Sequence, residues 1–167
     1  TELVPLLIKV QRLQSRLRDN PEAFGTAWNW LDAHLRLEYQ DRPAVYHFLR
    51  QAMLARRVLL LLDGLDEGGA KRAEIDLHVT EVLAKQGHVM LCTSRPAGLK
   101  EQSYIGFRCL ELSPLSEAQQ QQAFEQRLGK GRIKPLLEYV EQRFPRTDTG
   151  QLVTANPLML SLVASTF

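Results

Sequence analysis

The sequence predicts an α/β protein built on a parallel sheet, with the start of a helical unit behind it. Three observations lead there. Apolar runs of strand length, rich in Val, Leu and Ile, recur at residues 3–10, 58–62 and 89–92. Runs apolar on both faces are typical of strands buried in parallel sheets. Between them lie segments with apolar residues three and four apart, the stripe of an amphipathic helix. Strands alternating with such helices define the α/β class. From Pro114 onward only helical patterns remain. The expected division is therefore 1–113 for the α/β core and 114–167 for the start of a helical subdomain.

Each element has a local reason. After the first strand, Asn20-Pro21 can open a helix, Asn as cap and Pro at the first helical position. Phe24, Ala27, Trp28, Leu31 and Leu35 then fall on one helical face. A second helix restarts at Pro43, with Val45, Phe48, Leu49, Ala52 and Met53 as its apolar stripe. The run 58–62 enters an acidic loop, Asp63-Gly64-Leu65-Asp66-Glu67-Gly68-Gly69. Ile75, Val79, Val82 and Leu83 mark the next helix, and Gly87 ends it. The strand 89–92 exits at Thr93-Ser94-Arg95-Pro96, where Pro96 disfavours helix at Arg95. A fourth strand is expected over 107–112. Ser116-Glu117-Ala118-Gln119 reads as a capping box, opening a helix with Ala118, Phe124 and Leu128 on one face. The glutamines 119–122 are expected on its solvated side. Leu137, Val140 and Phe144 mark another helix, and Asn156-Pro157 opens a last one with Leu160, Leu162 and Val163.

Composition narrows the functional class. The 167 residues are 44% hydrophobic and 24% charged, enough apolar surface for a core and against disorder over most of the chain. A formal net charge of +2 is too small for the concentrated basic footprint of a nucleic-acid binder. Two cysteines exclude a disulfide scaffold, and their place in expected strands suggests inert buried thiols. No apolar run approaches the ~18 residues of a membrane-spanning helix, so no membrane segment is expected. The chain begins without Met and ends inside an apolar run; both ends are expected to be internal to a larger protein. His34, His47, His78 and His88 show no metal-ligand spacing and are expected at the surface or in packing.

Ligands of open parallel sheets sit outside the carboxyl ends of the strands. Two such ends are chemically loaded: Asp63 with Asp66 and Glu67, and Thr93-Ser94-Arg95. A strand-end carboxylate suits a divalent cation such as Mg2+, which takes oxygen ligands and keeps several waters. A second carboxylate could orient or deprotonate a water, and an arginine could stabilise charge on a transferring phosphoryl group.

On these residues the sequence resembles a known family. Val58-Leu59-Leu60-Leu61-Leu62-Asp63-Gly64-Leu65-Asp66-Glu67 is similar to the Walker B segment of the NACHT NTPases. These belong to the STAND class of P-loop ATPases, which includes the NOD-like receptors and many bacterial defence proteins. His88-Val89-Met90-Leu91-Cys92-Thr93-Ser94-Arg95-Pro96 resembles the family's sensor 1 strand. Leu110-Glu111-Leu112-Ser113-Pro114-Leu115-Ser116 resembles the exit into its helical domain, and Ala155-Asn156-Pro157-Leu158-Met159-Leu160 its later proline motif.

The resemblance implies a P-loop NTPase-type parallel sheet flanked by helices, with ATP and Mg2+ as cofactors. By the same resemblance Asp63 holds Mg2+ through water, and Asp66 or Glu67 positions the attacking water. Arg95 senses the γ-phosphate with Thr93 and Ser94 beside it, and Pro157 packs near the adenine. The implied function is a slowly hydrolysing, cytoplasmic switch that controls oligomerisation and signalling, innate-immune or defence-like. Its partners would be nucleotide, and further copies or effector proteins reached through missing domains. The alternative is a non-hydrolysing scaffold for protein association.

One departure stands out. A phosphate-cradling loop reads G-x-x-x-x-G-K-[ST], and no such string occurs. Gly129-Lys130-Gly131-Arg132 follows a helix and lacks the Ser or Thr, so it reads as a solvated basic loop. The resemblance implies a P-loop strand upstream of Thr1, placed, as in the family, between the sensor strand and the strand 107–112. The run 58–62 should then neighbour both 3–10 and 89–92, with 107–112 separated from them by one strand position.

Overall fold

A computed structural model describes residues 2–99, 101–129, 133–144, 146 and 150–166. The chain forms two compact units, Thr1–Arg108 and Cys109–Phe167; the expected division lay at Pro114.

The first unit is α/β. Its sheet has three parallel strands, β1 (Val4–Lys9), β2 (Val58–Asp63) and β3 (Val89–Cys92), in the order β1-β2-β3. Thus β2 neighbours both of the others, the order that the family resemblance implied. The register aligns Leu6 with Leu60 and Met90, and Ile8 with Leu62 and Cys92. These residues face one way and pack with the helices into a single core. The opposite face carries Pro5, Leu7, Leu59, Leu61, Val89 and Leu91 in matching rows. Strands buried on both faces were expected, yet Leu7, Val89 and Leu91 are 59%, 50% and 56% exposed. The described helices of this unit cover one side of the sheet only.

Helix α1 (Val10–Asp19) follows β1 without a loop. Val10, Leu13 and Leu17 are buried at spacings of three and four, so the end of the expected first strand belongs to a helix. The single helix expected across residues 24–35 is two. α2 (Pro21–Gly25) stops, and α3 (Trp30–Glu38) starts afresh behind Asn29. The Asn29 side-chain oxygen accepts the Asp32 N–H at 2.9 Å, an N-cap that outweighs continued helical periodicity. In α4 (Pro43–Leu54) only Leu49 and Met53 of the expected stripe are buried, whereas Val45 and Phe48 are exposed. After β2 a 3₁₀ segment, Leu65–Lys71, leads to α5 (Arg72–Leu77), which continues as a π-helical stretch, His78–Leu83. There Ala84 N–H reaches the Val79 carbonyl, five residues back. The wider turn keeps Ile75, Val79 and Leu83 facing the core.

The expected strand at 107–112 does not form. A strand needs a neighbour for its backbone groups, and among the described residues no strand lies beyond β3. Leu110 and Leu112 are instead 82% and 98% exposed, and Cys109, expected to be buried, is exposed.

The second unit is helical: α6 (Glu117–Leu128), α7 (Ile133–Arg143) and α8 (Pro157–Thr166). Phe124, Leu136, Val140, Leu152, Leu160 and Val163 form its core. The capping box at Ser116 is present. Gln120, expected on the solvated side, is buried: it accepts from the Thr154 hydroxyl at 2.6 Å and donates to the Leu115 carbonyl at 3.0 Å. Ala118 takes the exposed position. Gly129 ends α6; residues 130–132 of the expected basic loop lie outside the described residues.

Candidate functional site

Parallel strands that share a register end together, so the tails of β2 and β3 lie side by side. Asp63 is the last residue of β2, and Thr93 follows β3 directly. The Thr93 hydroxyl donates to Asp63 Oδ1 at 2.7 Å and accepts the Gly64 N–H at 2.9 Å. The Thr93 N–H donates to the Leu62 carbonyl at 2.9 Å, and the Leu65 N–H to the Thr93 carbonyl at 2.8 Å. Thr93 thus fastens the two strand ends by four hydrogen bonds. Gly64 makes the turn possible: its φ is +77°, a left-handed conformation that glycine adopts freely.

The two remaining acids diverge. Asp66 turns toward the loop after β3, where its Oδ1 accepts the Arg95 N–H at 3.1 Å. Its Oδ2 lies 3.6 Å from Arg95 Nε. The Asp66 side chain is 15% exposed and that of Arg95 82%. Glu67 is exposed, and its N–H donates to the Gly64 carbonyl at 2.9 Å. Ser94 is half-buried, and its hydroxyl donates to the Arg95 carbonyl at 3.1 Å. Asp63, Asp66, Glu67, Thr93, Ser94 and Arg95 therefore share one end of the sheet. Gly98, which carried no motif, belongs with them: a Cβ built there would stand 2.4 Å from the Asp66 Cβ.

Pro157 is in the second unit. It is exposed at the start of α8, where Asn156 Oδ1 accepts the N–H groups of Leu158 and Met159 at 2.9 and 3.3 Å.

Neighbouring groups refine the chemistry. Burial pushes the Cys92 thiol up to about 11, which keeps it protonated and a poor nucleophile. Tyr104 is buried and donates its hydroxyl to Asp76 Oδ1 at 2.7 Å. Burial, then that bond, raises the phenol above its usual range. His34, His78 and His88 lie within the fold, each lowered to about 4 chiefly by burial.

An exposed carboxylate at a rigid strand end, with one oxygen fixed by a hydroxyl, fits a Mg2+ that retains most of its waters. Among the described residues no group of three His, Cys, Asp or Glu could hold a metal ion. A cation at Asp63 would take its other ligands from water or from a ligand. No described helix is long and apolar enough to cross a membrane. Comparison with known proteins finds no matching family profile, no matching curated protein and no matching solved structure.

Proposed function

We propose that this chain is the Walker B and sensor 1 part of a NACHT-type switch domain, which binds ATP with Mg2+ and hydrolyses it slowly. In this reading Asp63 orients a water-shielded cation and Arg95 meets the γ-phosphate. Bound nucleotide then holds one domain arrangement, as it does in nucleotide-operated switches generally, and governs oligomerisation and signalling. The observation that carries the reading is the fastening of Asp63 by Thr93. A metal-bearing carboxylate and a phosphate-sensing loop must be positioned against each other to act on one phosphoryl group, and Thr93 belongs to both.

The phosphate cradle would come from a strand alongside β3, whose outer edge has no strand partner among the described residues. The apolar sheet face that includes Val89 and Leu91 is open beside it. In P-loop enzymes the cradle's amides and lysine carry the phosphate contacts, so the 167-residue chain alone should bind ATP poorly. Calorimetry on the complete protein and on this chain tests the reading. Mg2+-dependent ATP binding by the complete protein alone supports it; no nucleotide binding by the complete protein defeats it. Binding without turnover would favour the non-hydrolysing scaffold.

A further inference from the structure

We infer that Asp66 is a positioning residue that holds the Arg95 loop, which leaves Glu67 as the acid that faces the attacking water. The inference rests on the nucleotide-switch reading for what Arg95 does, but its geometry stands apart from that reading.

Resemblance leaves the two acids equivalent; their surroundings separate them. Both Asp66 oxygens are turned to Arg95, one to its backbone N–H at 3.1 Å and one toward its Nε at 3.6 Å. A carboxylate that accepts a backbone N–H and faces a guanidinium has its lone pairs directed at protein. The Asp66 side chain is 15% exposed, whereas Glu67 is exposed at the open end of the sheet.

Gly98 shows how closely the loop approaches. A Cβ there would lie 2.4 Å from the Asp66 Cβ and 3.4 Å from both Asp66 Cγ and Ser94 Oγ. Only a residue without a side chain lets the loop seat against Asp66. The Gly98 N–H closes a turn on the Arg95 carbonyl at 2.9 Å, so the residue that touches Asp66 is tied to the residue that Asp66 holds. The two grips on Arg95 differ in strength. Its backbone is fixed by a hydrogen bond, while its guanidinium is long-contacted and 82% exposed. The loop can stay seated while the guanidinium leaves Asp66 for an anion.

Two measurements on the complete protein test this. The first needs no ligand: hydrogen exchange at the Arg95 amide. Asp66→Ala and Gly98→Ala should both accelerate it, and Glu67→Gln should leave it unchanged. Asp66→Asn, which keeps an acceptor oxygen, should restore much of the protection. Unaltered exchange in both Asp66→Ala and Gly98→Ala overturns the proposal. The second is ATP turnover. Asp66→Ala should lower kcat roughly 10–100-fold, the scale of misplacing a reacting group. Added to Arg95→Ala it should cost nothing more, because it acts through Arg95. Glu67→Gln should multiply with Arg95→Ala. Independent, multiplicative losses for Asp66→Ala and Arg95→Ala would make Asp66 a separate participant and overturn the assignment. A complete protein without turnover would defeat the nucleotide-switch reading, and the exchange measurement would still decide what Asp66 holds.

Discussion

His78 Nε2 accepts the backbone N–H of Trp30 at 3.0 Å, and the two rings stack with centroids 4.4 Å apart and planes 5° from parallel. An imidazole that accepts through Nε2 must be neutral there. The bond therefore ties the start of α3 to the π-helical stretch only while His78 is unprotonated. Burial lowers His78 to about 4, against an unfolded value near 6.5. Between those values the unfolded chain binds the proton and the folded chain does not, so stability is full above about pH 6.5 and is lost as pH falls toward 4. For His78, discounted for partial contact with solvent, the loss at pH 5 is on the order of 1–2 kcal/mol. His34 and His88 shift in the same direction. Denaturant unfolding followed by tryptophan fluorescence should show a lower midpoint at pH 5 than at pH 7, with a smaller drop in His78→Gln. Equal midpoints at the two pH values would refute this.

The strands were legible because each is an apolar run bounded by polar residues, and β2 was found to within one residue at its Asp63 end. The acids and the threonine at the strand ends were legible because a parallel register brings those ends together. What escaped depends on partners distant in sequence. Nothing near Gly98 signals that Asp66 lies against it. Likewise an alternating segment such as Leu110-Glu111-Leu112 reads as a strand whether or not a neighbour exists to pair with it. The helix α1 was hidden because Val10 completes an apolar run while also starting a helical stripe with Leu13 and Leu17.

Asn29 is a second point where one side chain overrides the local pattern. It is buried, caps α3 through Asp32, and donates its amide to Gln86 Oε1 at 2.8 Å. Asn29→Ala should destabilise by about 1–2 kcal/mol, the upper range for a lost cap, because Gln86 also loses its partner. Asn29→Asp keeps the capping oxygen and should recover part of the loss. The denaturant midpoint measures both; an unchanged midpoint for Asn29→Ala would show that the cap contributes nothing.

The two faces of the sheet should respond oppositely to mutation. Leu60 is fully buried on the covered face of the central strand, so Leu60→Ala should cost about 2–5 kcal/mol. Leu7 and Leu91 stand on the uncovered face, in register through Leu61. Exposed apolar patches and unpaired edges promote association. Leu7→Lys with Leu91→Lys should make the 167-residue chain less prone to self-associate, with a stability change within about 0.5 kcal/mol per site. Light scattering coupled to size exclusion would detect it. If the double variant associates as readily as the parent chain, the open face is not the cause of association.

The site turns on Thr93, whose hydroxyl is donor to Asp63 and acceptor from Gly64 at once. Thr93→Val keeps the shape of the side chain and removes both bonds, whereas Thr93→Ser keeps the hydroxyl. The carboxylate of Asp63 is exposed, so losing the bond should free it to turn rather than unfold the protein. Stability should therefore fall by only about 1 kcal/mol, the net worth of an ordinary hydrogen bond. If Asp63 orients a cation as proposed, function should suffer more, because such a carboxylate must be held still. In the complete protein we expect Asp63→Ala to weaken Mg2+-dependent ATP binding and abolish turnover. Thr93→Val should lower turnover roughly tenfold or more, and Thr93→Ser should stay near the parent. Magnesium titrations at fixed ATP separate the possibilities. If Thr93→Val needs more Mg2+ to reach half-maximal turnover, the hydroxyl serves the metal side through Asp63. If its Mg2+ dependence and turnover match the parent, the strand-end bond is structural ornament and Asp63 needs no support.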